Sequence, residues 1–314
     1  MAEAIKIVQE AFIQLSTGEA IVPIRTPIEV TSHNGIVLFM PAYLSGSDAL
    51  GVKVVSVFPD NARLNRSTIS ALVVINDATT GEPRAVLDGS YLTAVRTGAA
   101  SGVATRLLAR PESEAVAIFG AGVQGRTQLE AVCEVRNIRR AWIYDIARNA
   151  AETFAKEMGR RGGRIPSDIQ VASSPAAATR TADIICTATT SSAPVIAETD
   201  LKPGVHINGI GSFKPEMQEV DEATVQRALL VVDSREAAWA EAGDLIIPRD
   251  KGLIKETDVH AELGEIALGQ KLGRSDKDQI TFFKAVGSAV QDVSVADYLL
   301  QKAEREGLGI TAEI

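Results

Sequence analysis

Ala4, Ile5, Val8, Ala11, Phe12 and Leu15 recur at helical spacing and predict an amphipathic helix over residues 2–16. The rhythm then shortens into β-like runs at 35–40, 50–57 and 70–76. The turn cluster Asp77-Ala78-Thr79-Thr80-Gly81-Glu82-Pro83 separates the apolar run 71–75 from a short run at 85–87, which predicts a β-hairpin. Helical spacing returns over 89–109 with Leu92, Val95, Ala99, Val103 and Leu107, small residues lying on the same side, and Arg110-Pro111-Glu112-Ser113 ends it. Beyond residue 113 strand-like runs recur at 116–119, 141–144, 169–172, 183–188, 205–210, 229–233 and 280–286, most of them separated by helical segments. That alternation predicts an α/β fold, a Rossmann-type doubly wound parallel sheet with helices on both faces. The last segment is amphipathic through Val293, Val295, Ala296, Leu299, Leu300 and Ala303. We therefore expect an α+β domain over 1–113, the parallel-sheet domain over 114–289, and a C-terminal segment, 290–314, that returns to pack on the first.

The first strand of the parallel series ends on Gly120-Ala121-Gly122-Val123-Gln124-Gly125, a G-x-G-x-x-G turn that opens a helical segment. Twenty residues past the last glycine a second apolar run, Ala141-Trp142-Ile143-Tyr144, ends on Asp145. Strand, glycine turn, helix, strand and acid in that order form a dinucleotide-binding fingerprint. Gly120 permits the tight turn, Gly122 lets a pyrophosphate approach the backbone, and Gly125 lets helix and strand pack closely. The helix start presents unpaired N–H groups to the phosphates. Asp145 is placed to accept from a ribose hydroxyl, which favours NADH, with NADPH the alternative because Arg148 follows three residues on. Arg148 reads either as a partner for the adenosine end or as a surface residue opening the next helix.

Composition narrows the class. Of 314 residues, 46% are hydrophobic and 23% charged, an ordinary globular balance with room for two domains. A net charge of −8 argues against nucleic acid and against an anionic membrane surface as partners. No apolar run approaches the roughly 18 residues of a membrane span, and the mixed-charge N-terminus is unlike a signal peptide, so a cytoplasmic protein is expected. Cys133 and Cys186 both lie in apolar runs and read as buried thiols in a reducing compartment. His33, His206 and His260 show no ligand spacing, so no metal site is expected.

If the second domain holds a dinucleotide, the first must supply the substrate site. It offers Arg25 after Ile21-Val22-Pro23-Ile24, Lys53 inside Gly51-Val52-Lys53-Val54-Val55, and Arg96 inside Leu92-Thr93-Ala94-Val95-Arg96-Thr97. Strand alternation puts Lys53 either on the solvent face or inside, where a cation must be paired or bind an anion. Arg96 is either part of a helix-face ion pair or one arm of a carboxylate grip. In the second domain Thr187-Ala188-Thr189 closes a strand where cofactors are commonly touched, although a plain β–α loop has the same pattern. Gly211, in Ile207-Asn208-Gly209-Ile210-Gly211-Ser212, either lets a flat ring lie against the backbone or makes a sharp turn.

Seven blocks in order carry a family likeness: Pro23-Ile24-Arg25; Lys53 with Val57-Phe58-Pro59-Asp60-Asn61; Leu92-Thr93-Ala94-Val95-Arg96-Thr97; the glycine turn; Val205-His206-Ile207-Asn208-Gly209-Ile210-Gly211-Ser212; Asp258-Val259-His260-Ala261-Glu262-Leu263-Gly264-Glu265; and Val286-Gly287-Ser288-Ala289-Val290-Gln291-Asp292. Together they resemble the ornithine cyclodeaminase/μ-crystallin family over nearly the whole chain. The resemblance implies a homodimer built from a substrate-binding and dimerisation domain and a Rossmann domain. The family's members include ornithine cyclodeaminases, alanine dehydrogenases and reductases of ketimines such as Δ1-pyrroline-2-carboxylate. The resemblance further implies that Arg25, Lys53 and Arg96 hold the substrate carboxylate, that Lys53 handles protons, that Thr68 contacts substrate, and that Thr97 lies near the cofactor diphosphate. This turns the reading of Lys53 toward the buried alternative.

One departure separates the branches. The cyclodeaminases carry an acid just after the glycine-rich strand end, and it grips the distal amine of ornithine. Here Phe213 stands at that place, followed by Lys214, and no carboxylate appears until Glu216. An apolar or cyclic substrate fits better. The expectation is an NAD(P)H-dependent oxidoreductase reducing the C2 imine of a small α-imino acid, a cyclic ketimine such as Δ1-pyrroline-2-carboxylate to L-proline, or pyruvate plus ammonia to L-alanine. A cyclodeaminase with tightly bound NAD and a non-catalytic μ-crystallin-like binding protein are the alternatives.

Overall fold

The computed structural model describes residues 1–312. The backbone packs as two units, Met1–Gln9 with Thr97–Gly287, and Glu10–Arg96 with Ser288–Ile314. The sequence divides the chain where a helix stops, at residue 113. The fold divides instead within two helices, Ala2–Thr17 and Gly89–Leu108, so that residues 97–113 belong with the glycine turn. The small residues of the second helix explain this. A Cβ on Gly98 would stand 2.6 Å from the Thr127 carbonyl oxygen, and one on Gly102 would stand 2.7 Å from the Ile5 side chain. This half of the helix therefore seats closely on the helix that follows the glycine turn and on the start of the N-terminal helix.

The unit formed by Glu10–Arg96 and the C-terminal segment is built on an antiparallel sheet: β1 (Ala20–Ile21), β2 (Thr26–Val30), β3 (Gly35–Leu44), β4 (Ala49–Val57), β5 (Ile69–Asn76) and β6 (Pro83–Asp88). The order is β1-β3-β4-β5-β6, with β2 also on β3, and the expected hairpin is β5–β6 with Leu72 opposite Asp88. The sequence runs do not mark β1 or β2; β1 has two residues, and β2 is largely exposed and carries Pro27. One sheet face buries Leu38, Met40, Ala42, Leu44, Ala49, Val55, Val73 and Ile75. The helix Ala289–Glu306 lies across β3, β4 and β5; residues 313 and 314 of the C-terminal segment lie outside the described residues. Gly51 is required by the neighbouring strand, since a Cβ there would stand 2.5 Å from the Val74 carbonyl oxygen and 2.9 Å from the Ile75 side chain. The other face is apolar too: Phe39, Val54 and Leu72 stand in one cross-strand row and Val52, Val74 and Val86 in the next.

The other unit holds eight parallel strands: β7 (Ala115–Phe119), β8 (Arg140–Tyr144), β9 (Ile169–Val171), β10 (Ile184–Thr187), β11 (His206–Gly209), β12 (Leu229–Val232), β13 (Val259–Glu262) and β14 (Thr281–Lys284), in the order β13-β12-β14-β11-β10-β7-β8-β9. Successive residues of one strand serve opposite layers. Ala117 and Phe119 join a core with Ile185, Ile207 and Phe282, whereas Val116 and Ile118 join one with Ile143, Ile184 and Cys186. The sheet is thus doubly wound, as expected. The strand sequence does not mark β13, a four-residue edge strand in which half-buried His260 and Glu262 alternate with Val259 and Ala261. Chain direction across the sheet reverses between β7 and β10, the switch point where such sheets take ligands.

Candidate active site

The glycine turn leaves β7 at that switch point. Gly120 has φ of 101°, a left-handed conformation, and a Cβ there would stand 2.4 Å from the Ala188 carbonyl oxygen. A Cβ on Gly125 would stand 2.1 Å from the Gly120 carbonyl oxygen, so this glycine closes the helix onto the turn. At Gly122 a Cβ would meet no atom within 4 Å. That space, beside a helix start that no side chain caps, fits a dinucleotide diphosphate. Val123 is exposed and Gln124 half-buried in the first turn of the helix Val123–Val135. Arg126 donates to the Ala121 and Gly122 carbonyls and fixes the turn from behind. Asp145, half-buried at the end of β8, accepts from the Ala121 N–H at 2.8 Å and from the Ala147 N–H at 2.8 Å. Arg148 is exposed and pairs with Glu152 at 2.9 Å. Thr97 is buried beside Gly98, in the half-helix that seats on Val123–Val135.

At the ends of β10 and β11 one carboxylate organises the loops. Glu219 accepts from the Thr187 hydroxyl at 2.9 Å, the Thr189 N–H at 2.6 Å and hydroxyl at 2.7 Å, the Gly211 N–H at 2.8 Å and the Ser212 N–H at 3.1 Å. Behind it Asp244 accepts from the Glu219 and Val220 N–H groups and pairs with Lys284 at 3.0 Å. Glu219, Asp244 and Lys284 are all buried. Burial and the neighbouring Asp244 carboxylate raise the Glu219 pKa against the pull of Lys284 and Thr189. The Thr187 and Thr189 hydroxyls, expected at the cofactor, are thus bonded to Glu219, and Ala188 lies between them with its carbonyl against Gly120. Phe213 is half-buried and Glu216 exposed.

The antiparallel unit gathers the cations. Lys53, on β4 between Met40 and Val73, faces the helix side of the sheet and is 1% exposed. Its Nζ lies 2.7 Å from Asp292 Oδ2, and Arg96 Nε lies 2.9 Å from Asp292 Oδ1. Arg96 Nη1 also donates to Gln291 Oε1 at 2.6 Å. Burial lowers the Lys53 pKa to about 7; Arg96 and Arg25 add to the fall and Asp292 opposes it. Arg25 is half-buried just before β2 and close enough to act on Lys53. Thr68 is half-buried before β5, and its carbonyl accepts from the Phe58 N–H. Lys53 and Arg96 therefore come together as the resemblance implies. Arg96, however, has Nε and Nη1 committed to Asp292 and Gln291, which leaves Nη2 rather than a full fork for a ligand.

Sequence reasoning passed over Asp292, Gln291, Glu219, Asp244 and Lys284. For Asp292 a signal existed: it lies in the first turn of the C-terminal helix on the same stripe as Val293, Ala296 and Leu300, an acid in an apolar stripe just as Lys53 is a base in one. Glu219 gave none, because it lies in a loop.

The sequence profile described as the ornithine cyclodeaminase/mu-crystallin family matches residues 1–307. A Delta(1)-pyrroline-2-carboxylate reductase of Bacillus cereus is 43% identical over 310 residues, 98% of this chain and 94% of that one. An alanine dehydrogenase of Archaeoglobus fulgidus is 37% identical over 98% of this chain and 92% of its own. Among solved structures, Thermococcus litoralis Delta(1)-pyrroline-2-carboxylate reductase in complex with NADH and L-proline superposes with a TM-score of 0.96 at 46% identity, covering 99% of this chain and 96% of that one.

Proposed function

Because the chain belongs to the ornithine cyclodeaminase/mu-crystallin family, we propose that it is an NAD(P)H-dependent reductase of the C2 imine of a small α-imino acid, with Δ1-pyrroline-2-carboxylate reduced to L-proline as the favoured reaction. The observation that carries this reading is the buried cluster of Lys53 and Arg96 around the single carboxylate of Asp292, with Arg25 nearby. Its cations outnumber its carboxylate, and a buried excess of positive charge is completed by an anion. A substrate carboxylate supplies one, held by Arg25, Lys53 and Arg96, with the half-buried Thr68 beside the substrate as the family likeness implies. Holding the carboxylate fixes C2 for attack, which is catalysis by positioning and electrostatic complementarity. When bound, the dihydronicotinamide supplies the hydride; Lys53, with a pKa near neutrality, is suited to give the imine nitrogen its proton. No carboxylate is free for a distal substrate amine at Phe213-Lys214, which favours a cyclic or short side chain.

In this reading the cofactor binds along Gly120, Gly122, Val123, Gln124 and Gly125, with Thr97 at the diphosphate, Asp145 and Arg148 at the adenosine ribose, and Thr187, Ala188, Thr189 and Gly211 toward the nicotinamide. NADH is preferred: Asp145 can accept from ribose hydroxyls, whereas a 2′-phosphate would meet like charge, and Arg148 is engaged by Glu152. The second apolar face of the antiparallel sheet supports a homodimer, since Phe39, Leu72 and Val86 are 36%, 41% and 64% exposed on it and such a face is normally covered.

The test is NADH oxidation with Δ1-pyrroline-2-carboxylate, with pyruvate plus ammonia, and with other α-keto acids plus ammonia or methylamine. Highest kcat/KM on the cyclic imine is expected. Turnover of ornithine without net NADH consumption would make it a cyclodeaminase, and tight NADH binding with no turnover on the panel would make it a binding protein.

A further inference from the structure

We propose that Asp292 is a positioning residue of this reaction: its two carboxylate oxygens hold Lys53 and Arg96 side by side and keep Lys53 charged for proton donation to the imine nitrogen. The inference rests on the reading of Lys53 given above. Each oxygen takes one cation, Oδ2 the Lys53 ammonium at 2.7 Å and Oδ1 the Arg96 guanidinium at 2.9 Å. Asp292 is fully buried, and its chain neighbour Gln291 takes a second nitrogen of Arg96 at 2.6 Å. One helical turn therefore sets the direction of both cations.

The charged groups acting on Lys53 come from three elements: Arg96 from the helix Gly89–Leu108, Arg25 from the segment before β2, and Asp292 from the helix Ala289–Glu306. Burial and both arginines favour the neutral amine. Asp292 is the group among them that favours the ammonium. Without its charge Lys53 would be mostly neutral at pH 7, with less of it carrying a proton to give or a charge to offer the substrate carboxylate. The step balances: as C2 gains hydride from NADH, the C=N π pair moves to nitrogen and takes the proton of Lys53. The neutral amine then regains a proton from water. Reduction is therefore fastest below the Lys53 pKa and declines as pH rises through about 7, while oxidation of proline, which needs the neutral amine, gains over the same range.

The experiment follows the Lys53 ε-carbon by NMR in protein carrying 13C-lysine, with the signal assigned by its loss in Lys53→Arg, alongside pH profiles of kcat/KM for Δ1-pyrroline-2-carboxylate. In Asp292→Asn the Lys53 titration should move down by about one pH unit or more, and the alkaline decline of kcat/KM should move with it. At pH 7 the loss should be about fivefold or greater, since a one-unit fall takes the protonated fraction from about one half to about one tenth, with NADH affinity unchanged. Asp292→Glu, which keeps the charge, should titrate close to wild type while losing kcat through misplacement of the two cations; it also serves if the asparagine variant does not fold. If Lys53→Arg keeps the wild-type decline, the decline is not that of Lys53 and the proton-donor reading fails. If the decline is lost in Lys53→Arg but Asp292→Asn leaves both the decline and the NMR titration in place, or if Asp292→Glu lowers the titration as far as a neutral side chain would, the role given to Asp292 is overturned.

Discussion

Replacing Arg96 with Lys tests the carboxylate grip with the charge retained. Arg96 is 6% exposed, with Nε on Asp292 at 2.9 Å and Nη1 on Gln291 at 2.6 Å. A lysine has one nitrogen and can keep the Asp292 pair, but it cannot also reach Gln291 and a ligand oxygen. The lost contact with the substrate carboxylate is charge-assisted and worth about 1.5–3 kcal/mol, which converts to roughly a 10- to 150-fold fall in kcat/KM. The lost Gln291 contact falls on stability instead, at about 1–3 kcal/mol. Alanine is the poorer probe, because removing one partner of a buried ion pair costs about 3–5 kcal/mol in folding and would confound the kinetics. The assay is steady-state reduction of Δ1-pyrroline-2-carboxylate, with NADH affinity from its fluorescence and the thermal midpoint measured in parallel. Wild-type efficiency in Arg96→Lys, or a loss carried by NADH affinity, would refute the grip.

Three further outcomes are expected. Gly122→Ala should keep the wild-type thermal midpoint, since its Cβ meets no atom within 4 Å, yet lose NADH affinity about tenfold or more because that space is the ligand's; Gly125→Ala, with a Cβ 2.1 Å from the Gly120 carbonyl oxygen, should lose both, and intact NADH binding in either would count against the fingerprint. Asp145→Ser should raise the ratio of NADPH to NADH efficiency by removing a like charge from the 2′-phosphate, and a wild type favouring NADPH tenfold would show that Asp145 does not face the ribose. Leu72→Arg, on the outer sheet face, should shift the protein toward monomer in light scattering, and an unchanged mass would place the dimer contact elsewhere.

The periodic parts of the chain were legible and the convergent parts were not. β7, β10, β12 and β14 bury apolar residues on both faces, so burial is written into consecutive residues and needs no knowledge of the partner strand. The glycine turn was equally plain, because its geometry lies within six residues of chain. The division between the units was less so: a helix stop over residues 110–113 is a local signal, whereas the seating of Gly98 and Gly102 on Thr127 and Ile5 is a long-range one. Lys53 illustrates the limit. Alternation alone allows it inside or outside, and the choice depends on Asp292, 239 positions later, which is itself ambiguous alone. A base in an apolar strand and an acid in an apolar helical stripe are each costly when buried, and each becomes tolerable if the other is its partner.

The same logic decides what the missing acid after Gly211-Ser212 means for the substrate. Sequence order finds no carboxylate there before the exposed Glu216, and Lys214 intervenes. In space a carboxylate does return: Glu219 reaches the Gly211 and Ser212 N–H groups at 2.8 and 3.1 Å. It could replace the absent counter-ion only by giving up donors it already holds, the Thr187 and Thr189 hydroxyls and three backbone N–H groups. Those of Thr187, Gly211 and Ser212 would then be left buried without a partner, a penalty of about 1–3 kcal/mol apiece. An exposed ammonium leaving water gains less from one carboxylate than that sum. Glu219 thus holds the two strand-end loops in shape and is not free to act as a counter-ion, which supports the proposed preference for a substrate whose nitrogen is closed into a ring.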